Sequence, residues 1–196
     1  MLRMPQSPTD VVCIYADVTA PPLAIMPGSF NPLHQGHLEL AAVAAIRLGC
    51  PVAFELSIAN VDKAELSEEE VARRVEQFNG YRAIWITRAA TFREKAILFP
   101  NTAFVLGFDT ACRLIDPKYY GGDAGLRDEA LRTIASCGCR IVVGGRVDAN
   151  GEFRTWTGDG LAGKFRNLFV SLAEADFRVD VSSTELRSRA RRVSEG

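Results

Sequence analysis

Short apolar runs recur along the chain, and nearly all are followed by a segment of helical periodicity. They fall at residues 23–26, 52–58, 83–87, 103–106, 140–143 and 168–172. A strand with one wet face alternates apolar and polar residues. These runs are mostly apolar throughout, the pattern of strands covered on both sides. The helical segments between them carry end signals. Residues 35–48 stop at Gly49, and Ser67 with Glu70 opens a helix that Asn79-Gly80 closes. Thr91 with Glu94 opens another, to about residue 98, and further helices span 108–115 and 126–136. Strands alternating with helices predict an α/β fold: a Rossmann-like, doubly wound parallel sheet forming a single domain over residues 23–196. Residues 1–22 hold a possible strand at 11–15 and end in Pro21-Pro22, which reads as an N-terminal arm or an edge strand.

Composition narrows the function. With 196 residues and 47% hydrophobic content, one domain buries a core without disulfide staples. The formal net charge of −1 supplies no basic field for nucleic acid. No apolar run approaches the roughly 18 residues of a membrane span, and residues 1–22 lack a signal-peptide layout. A cytoplasmic protein acting on small molecules is the expectation. The five cysteines are scattered, and Cys137-Gly138-Cys139, with neither Cys-x-x-Cys spacing nor a second ligand pair, reads as two buried thiols near a strand start.

Open sheets of this kind bind ligands beyond the carboxyl ends of their strands, and the polar clusters sit there. After the first apolar run comes Gly28-Ser29-Phe30-Asn31-Pro32-Leu33, a turn, then His34-Gln35-Gly36-His37 at a helix start. Histidines three apart in a first helical turn share one face, beside the helix's free N–H groups and positive dipole end. Gly36 adds no side chain between them. The combination is an oxyanion site, best suited to phosphate. Zinc is disfavoured, since no cysteine or Glu-x-x-His partner stands nearby. Near the other end, Ser182-Ser183-Thr184 precede a second helical segment, with Arg187 one turn on: hydroxyls, a helix start and a guanidinium fork form a second anion site. Residues 116–125, with Tyr119 and Tyr120, read as a flap stacking a ring or as an ordinary surface crossing. Gly144-Gly145-Arg146 lacks the context of a dinucleotide fingerprint.

Residues 28–37 together with 182–187 resemble the nucleotidylyltransferase superfamily. Gly107-Phe108-Asp109 is similar to the Gly-x-Asp turn of its pyridine-mononucleotide branch, the nicotinamide and nicotinate mononucleotide adenylyltransferases. The resemblance implies transfer of AMP from ATP to a phosphate-bearing acceptor, releasing pyrophosphate. It implies that His34, His37 and Arg187 are catalytic, and that Gly28, Ser29, Phe30, Gly36, Gly107, Asp109, Ser182, Ser183 and Thr184 bind nucleotide. Mg2+ would arrive on the nucleotide phosphates, with Asp109 on ribose hydroxyls or that ion and no metal site of the protein's own. Lys63, Trp85 and Thr91 would meet the acceptor. The tyrosine–threonine pattern that many pyridine-mononucleotide enzymes use is missing. Two alternatives remain: a cytidylyltransferase using CTP and a phospho-alcohol, and a divergent nucleotide-binding protein or ATP hydrolase.

Overall fold

The computed structural model describes residues 2–15, 21–60, 64–79, 82–148, 150–161 and 163–177. Lys63, Ser182, Ser183, Thr184 and Arg187 lie outside the described residues. In chain order the elements are β1 (Val12–Ile14), β2 (Ala24–Pro27), α1 (Gln35–Leu48), β3 (Val52–Ser57), α2 (Glu68–Glu76), β4 (Ile84–Thr87), α3 (Phe92–Leu98), β5 (Ala103–Gly107), α4 (Phe108–Ile115), α5 (Ala124–Ser136), β6 (Arg140–Gly144), β7 (Arg146–Val147), β8 (Phe153–Arg154) and β9 (Phe169–Ser171). Short 3-10 turns span Pro117–Tyr120 and Gly163–Leu168.

Seven strands form one sheet in the order β1-β4-β3-β2-β5-β6-β9. All neighbours are parallel except β1, which runs antiparallel along β4 with Cys13 opposite Trp85. The chain therefore lays β2, β3 and β4 outward in one direction. It then returns to place β5 on the other side of β2 and continues through β6 to β9. This is a Rossmann-like α/β fold whose strand order reverses between β2 and β5, the crevice where such sheets take ligands.

Because crossovers between parallel strands are right-handed, reversing direction moves the helices to the opposite face and creates two cores. On one face Leu40, Ala41 and Ala44 of α1 and Val71 and Val75 of α2 cover Met26, Phe54 and Leu56. On the other, Ala96 of α3, Leu114 of α4 and Leu131 and Ile134 of α5 cover Ile25, Phe104, Leu106, Ile141 and Val143. Neighbouring residues such as Ile25 and Met26 thus enter different cores, which explains the unbroken apolar runs. Each large buried side chain contributes about 1.5–3 kcal/mol of transfer free energy.

After β9 the chain crosses back to the first core, where Leu172 and Phe177 pack. There a Cβ on Gly144 would stand 2.5 Å from Leu40 Cδ1 and 3.1 Å from Phe177 Cε1. Gly144 is small because α1 and the 172–177 segment meet over it.

Local signals have specific outcomes. Thr91 and Glu94 form a reciprocal capping box. Ser67 caps α2 through Glu70 N–H, but the Glu70 carboxylate binds Arg73 and Arg74 instead of returning to the cap. In the 116–125 loop the Tyr120 hydroxyl donates to Leu114 O at 2.9 Å, anchoring the 3-10 turn, while Tyr119 stays exposed. All five cysteines are free thiols; of the pair expected to be buried, Cys139 is and Cys137 is only half-buried.

Candidate active site at the strand-order reversal

Residues 28–37 leave β2 at the reversal and are folded by a specific set of contacts. Gly28 N–H donates to Glu55 O at 2.9 Å. Phe30 takes a positive φ of 45°, turning its ring back under the loop. That ring is wholly buried, edge-on to Phe54, Phe78 and His37. A Cβ on Gly28 would lie 2.6 Å from Phe30 Cε1, so this glycine is required by the loop's own fold. Phe30 was expected to bind nucleotide. Its side chain is a core anchor, and only its backbone remains for a ligand.

Side chains of α2 hold the loop from outside. Arg74 Nη1 donates to Ser29 O at 2.9 Å, Gln77 Nε2 to Phe30 O at 2.9 Å, and Arg73 Nη2 to Asn31 Oδ1 at 2.8 Å. Leu33 N–H donates to Gln77 Oε1 at 2.8 Å. Glu70, its carboxyl held down to about 2 chiefly by the hydrogen bond from Arg73, grips both arginines. Two loop carbonyls thus receive α2 donors. Sequence reading missed this brace. Its trace was Arg74, which falls three residues after Val71 and next to Val75 on the apolar stripe of α2, where a charge needs a partner.

His34 is the N-cap of α1, with extended backbone (φ −144°, ψ 167°). Its ring stacks on His37 at 3.7 Å between centroids, 24° from parallel. The His34 N–H donates to His37 Nδ1 at 3.3 Å, so that nitrogen is an acceptor and the ring proton sits on Nε2. Burial, and secondarily repulsion from His34, lower the His37 pKa from 6.5 to about 4. His37 is therefore a neutral N–H donor at neutral pH. Gly36, buried between the two, and Gln35 present first-turn N–H groups that an α-helix leaves without intrahelical acceptors. The arrangement offers an oxyanion a neutral ring N–H, free backbone N–H groups and a helix dipole.

Across the reversal, Gly107 ends β5 and caps α4. It has ordinary extended backbone (φ −74°, ψ 158°), is exposed, and has no heavy atom within 4 Å of a Cβ built on it. Nothing in the fold demands glycine there. Asp109, in the first turn of α4, forms an ion pair with Arg146 at the start of β7, a residue that sequence reading assigned no role. Two residues expected at the acceptor have partners within the fold. Trp85, 8% exposed, lies edge-on to Phe99 in the second core, leaving no free ring face for stacking. The Thr91 hydroxyl is engaged with Glu94 at the α3 cap.

Beneath the same strand ends, Lys95 Nζ donates to both Glu55 oxygens at 2.7 and 2.8 Å and to Ala89 O at 2.8 Å, while Thr87 Oγ1 donates to Glu55 Oε1 at 2.5 Å. Both charges are nearly fully buried. The cluster ties β3, whose Glu55 carbonyl also holds Gly28, to α3 and the 88–91 loop.

The fold and this site define a class: a doubly wound α/β protein with a phosphate-type cradle at its strand-order reversal. The Cytidylyltransferase-like family model matches residues 25–189, and the chain belongs to that family. Membership makes it a nucleotidyltransferase, with a nucleoside triphosphate and a phosphorylated acceptor as substrates. No curated protein matches the chain. Among the described residues, no helix is long and apolar enough to cross a membrane.

Proposed function

We propose that the protein transfers AMP from ATP to a phosphate-bearing acceptor, nicotinamide or nicotinate mononucleotide being favoured, with release of pyrophosphate. The observation that carries the transfer chemistry is the stacked histidine pair at the head of α1, with His37 a neutral donor, facing the reversal between β2 and β5. The adenylyl and pyridine assignments rest on Gly107-Phe108-Asp109 and on the resemblance of residues 182–187.

An oxygen of the acceptor phosphate attacks the α-phosphorus in line; that P–O bond forms as the bond from the α-phosphorus to the β-bridging oxygen breaks. No covalent enzyme intermediate is needed, so positioning and fixed donors supply the catalysis. His37 Nε2–H donates to the charge that develops on the α- and bridging oxygens, with His34 and the first-turn N–H groups of α1 beside it. Asp109, with Arg146 alongside, suits ribose hydroxyls. Mg2+ coordinates one or two carboxylates plus substrate phosphates. An ion carried on the triphosphate would have Asp109 as its protein partner. Such an ion would neutralise the triphosphate.

Ser182, Ser183, Thr184 and Arg187 are proposed to hold the departing β- and γ-phosphates, and Lys63 to meet the acceptor. Chain length supports the first assignment. Phe177 packs with Leu40 over Gly144, and Leu40 lies about 9 Å along α1 from His34 at 1.5 Å per residue. The five steps from Phe177 to Ser182 reach up to about 17 Å.

Pyrophosphate release, measured with ATP or CTP against nicotinamide mononucleotide, nicotinate mononucleotide and a phospho-alcohol, tests the proposal. Turnover with ATP and a mononucleotide is the expected result. Turnover only with CTP and the phospho-alcohol would replace it by the cytidylyltransferase reading, and ATP hydrolysis without transfer by the hydrolase.

A further inference from the structure

Beyond Phe108, on the α3–α5 face of the sheet, a second concavity opens at the β9 edge. Its volume is about 130 Å3, and its walls include Trp156, Gly158, Leu161, Arg166, Phe169 and Ser171. Trp156 is stacked on Phe169 at 5.1 Å and edge-on to Phe108 at 6.2 Å, which fixes the indole. Phe169 and Ser171, two residues apart on β9, point to the same face.

Two buried polar atoms of these walls have no hydrogen-bond partner: Trp156 Nε1 and Ser171 Oγ. Trp156 is 8% exposed, and its Nε1 lies beside Gly158 of the wall, 3.9 Å from a Cβ built on that residue. Folded proteins rarely leave such groups unsatisfied, because a lone buried donor keeps its full desolvation penalty. Thr157, another hydroxyl in the wall, already donates to Asp159 at 2.6 Å. Arg166 is exposed and forms no ion pair with a described residue.

The unpaired groups share one chemistry. An indole N–H and a guanidinium donate only, and a serine hydroxyl can donate. Their complement is an acceptor-rich group, and the guanidinium makes it an anionic one. Leu161 and Phe169 supply apolar wall, and the volume is near the roughly 150 Å3 of a cavity that admits benzene. We propose that this pocket binds a small planar carboxylate, its ring on the apolar wall and its oxygens on Trp156 Nε1, Ser171 Oγ and Arg166. The proposal does not rest on the transfer reaction.

The two tryptophans make the test direct. Uniformly 15N-labelled full-length protein, without nucleotide, is titrated with benzoate, benzamide or inorganic phosphate while both indole N–H resonances are followed. The Trp156 resonance should move saturably with benzoate and that of Trp85 should stay still. Benzamide and phosphate should each bind at least about 10-fold more weakly, and Arg166→Met should weaken benzoate by about 10-fold or more, the loss of one charge-assisted contact. Ser171→Ala, read the same way, should weaken it by a smaller factor. Arg166 is exposed, so its replacement leaves the fold intact. No saturable shift, equal shifts of both indoles, binding of benzamide or phosphate as tight as benzoate, or a benzoate isotherm unchanged by Arg166→Met would each overturn the proposal.

Discussion

His37→Asn isolates the protonation state on which the phosphate cradle depends. Asparagine places a carbonyl oxygen near the position of His37 Nδ1, so the acceptor for the His34 N–H at 3.3 Å is kept while titration is removed. In the wild type the folded-state pKa is about 4 against an ordinary 6.5. Between those values the unfolded chain binds a proton that the native state refuses. The stability linked to neutral His37 is thus complete above about pH 6.5 and is lost as pH falls toward 4. At ~1.4 kcal/mol per pH unit the full loss is about 3.4 kcal/mol, and about 2.5 kcal/mol of it is reached near pH 4.5. Urea unfolding of both proteins near pH 8 and pH 4.5 measures this. Carboxylates such as Glu70 titrate alike in both, so the difference between the two losses belongs to His37. The wild type should lose about 2.5 kcal/mol more than the variant. With two histidines in the chain, NMR titration of the ring protons gives the pKa directly. Equal losses in the two proteins, or a His37 midpoint near 6.5, would refute the argument that burial keeps the ring neutral.

Gly107→Ala and Gly28→Ala should behave oppositely. The first meets open space and should leave thermal stability unchanged while weakening ATP binding in a titration; unaltered affinity would remove Gly107 from the nucleotide path. The second drives a Cβ into the buried Phe30 ring and should cost about 1–3 kcal/mol in chemical denaturation. Lys95→Met leaves Glu55 buried without its cation and should cost about 3–5 kcal/mol, while the double variant Glu55→Gln/Lys95→Met should recover much of that. At 2–4 °C per kcal/mol, the single change should lower Tm by about 6–20 °C in a CD melt. His37→Ala should reduce turnover about 10²–10³-fold with a smaller effect on ATP affinity; wild-type turnover would exclude it from the mechanism. Gln77→Ala, which frees Phe30 O and the Leu33 N–H, should lower kcat/KM for the transfer; unchanged kinetics would show that the loop needs no brace.

Local chemistry wrote much of the architecture into the chain. Apolar runs announced strands buried on both faces, and Thr91 with Glu94 announced a capped helix, because these are settled by residues a few positions apart. The oxyanion character of residues 28–37 was readable for the same reason: a turn, a helix start and two histidines lie within one short stretch. What the sequence could not hold was information about which distant segments meet. That Arg74 of α2 and Gln77 at its C-cap hold carbonyls of the 29–33 loop depends on α1 and α2 sharing a face, a consequence of crossover handedness and strand order. Glu55 interrupts an apolar run, and only the fold sets Lys95 beneath it. Trp85 had the chemistry to stack on a ligand, and tertiary packing turned its ring into the core against Phe99. Spacing along the chain determines which groups one element presents; only the closed sheet, by fixing which elements are neighbours, decides whether those groups face solvent, ligand or one another.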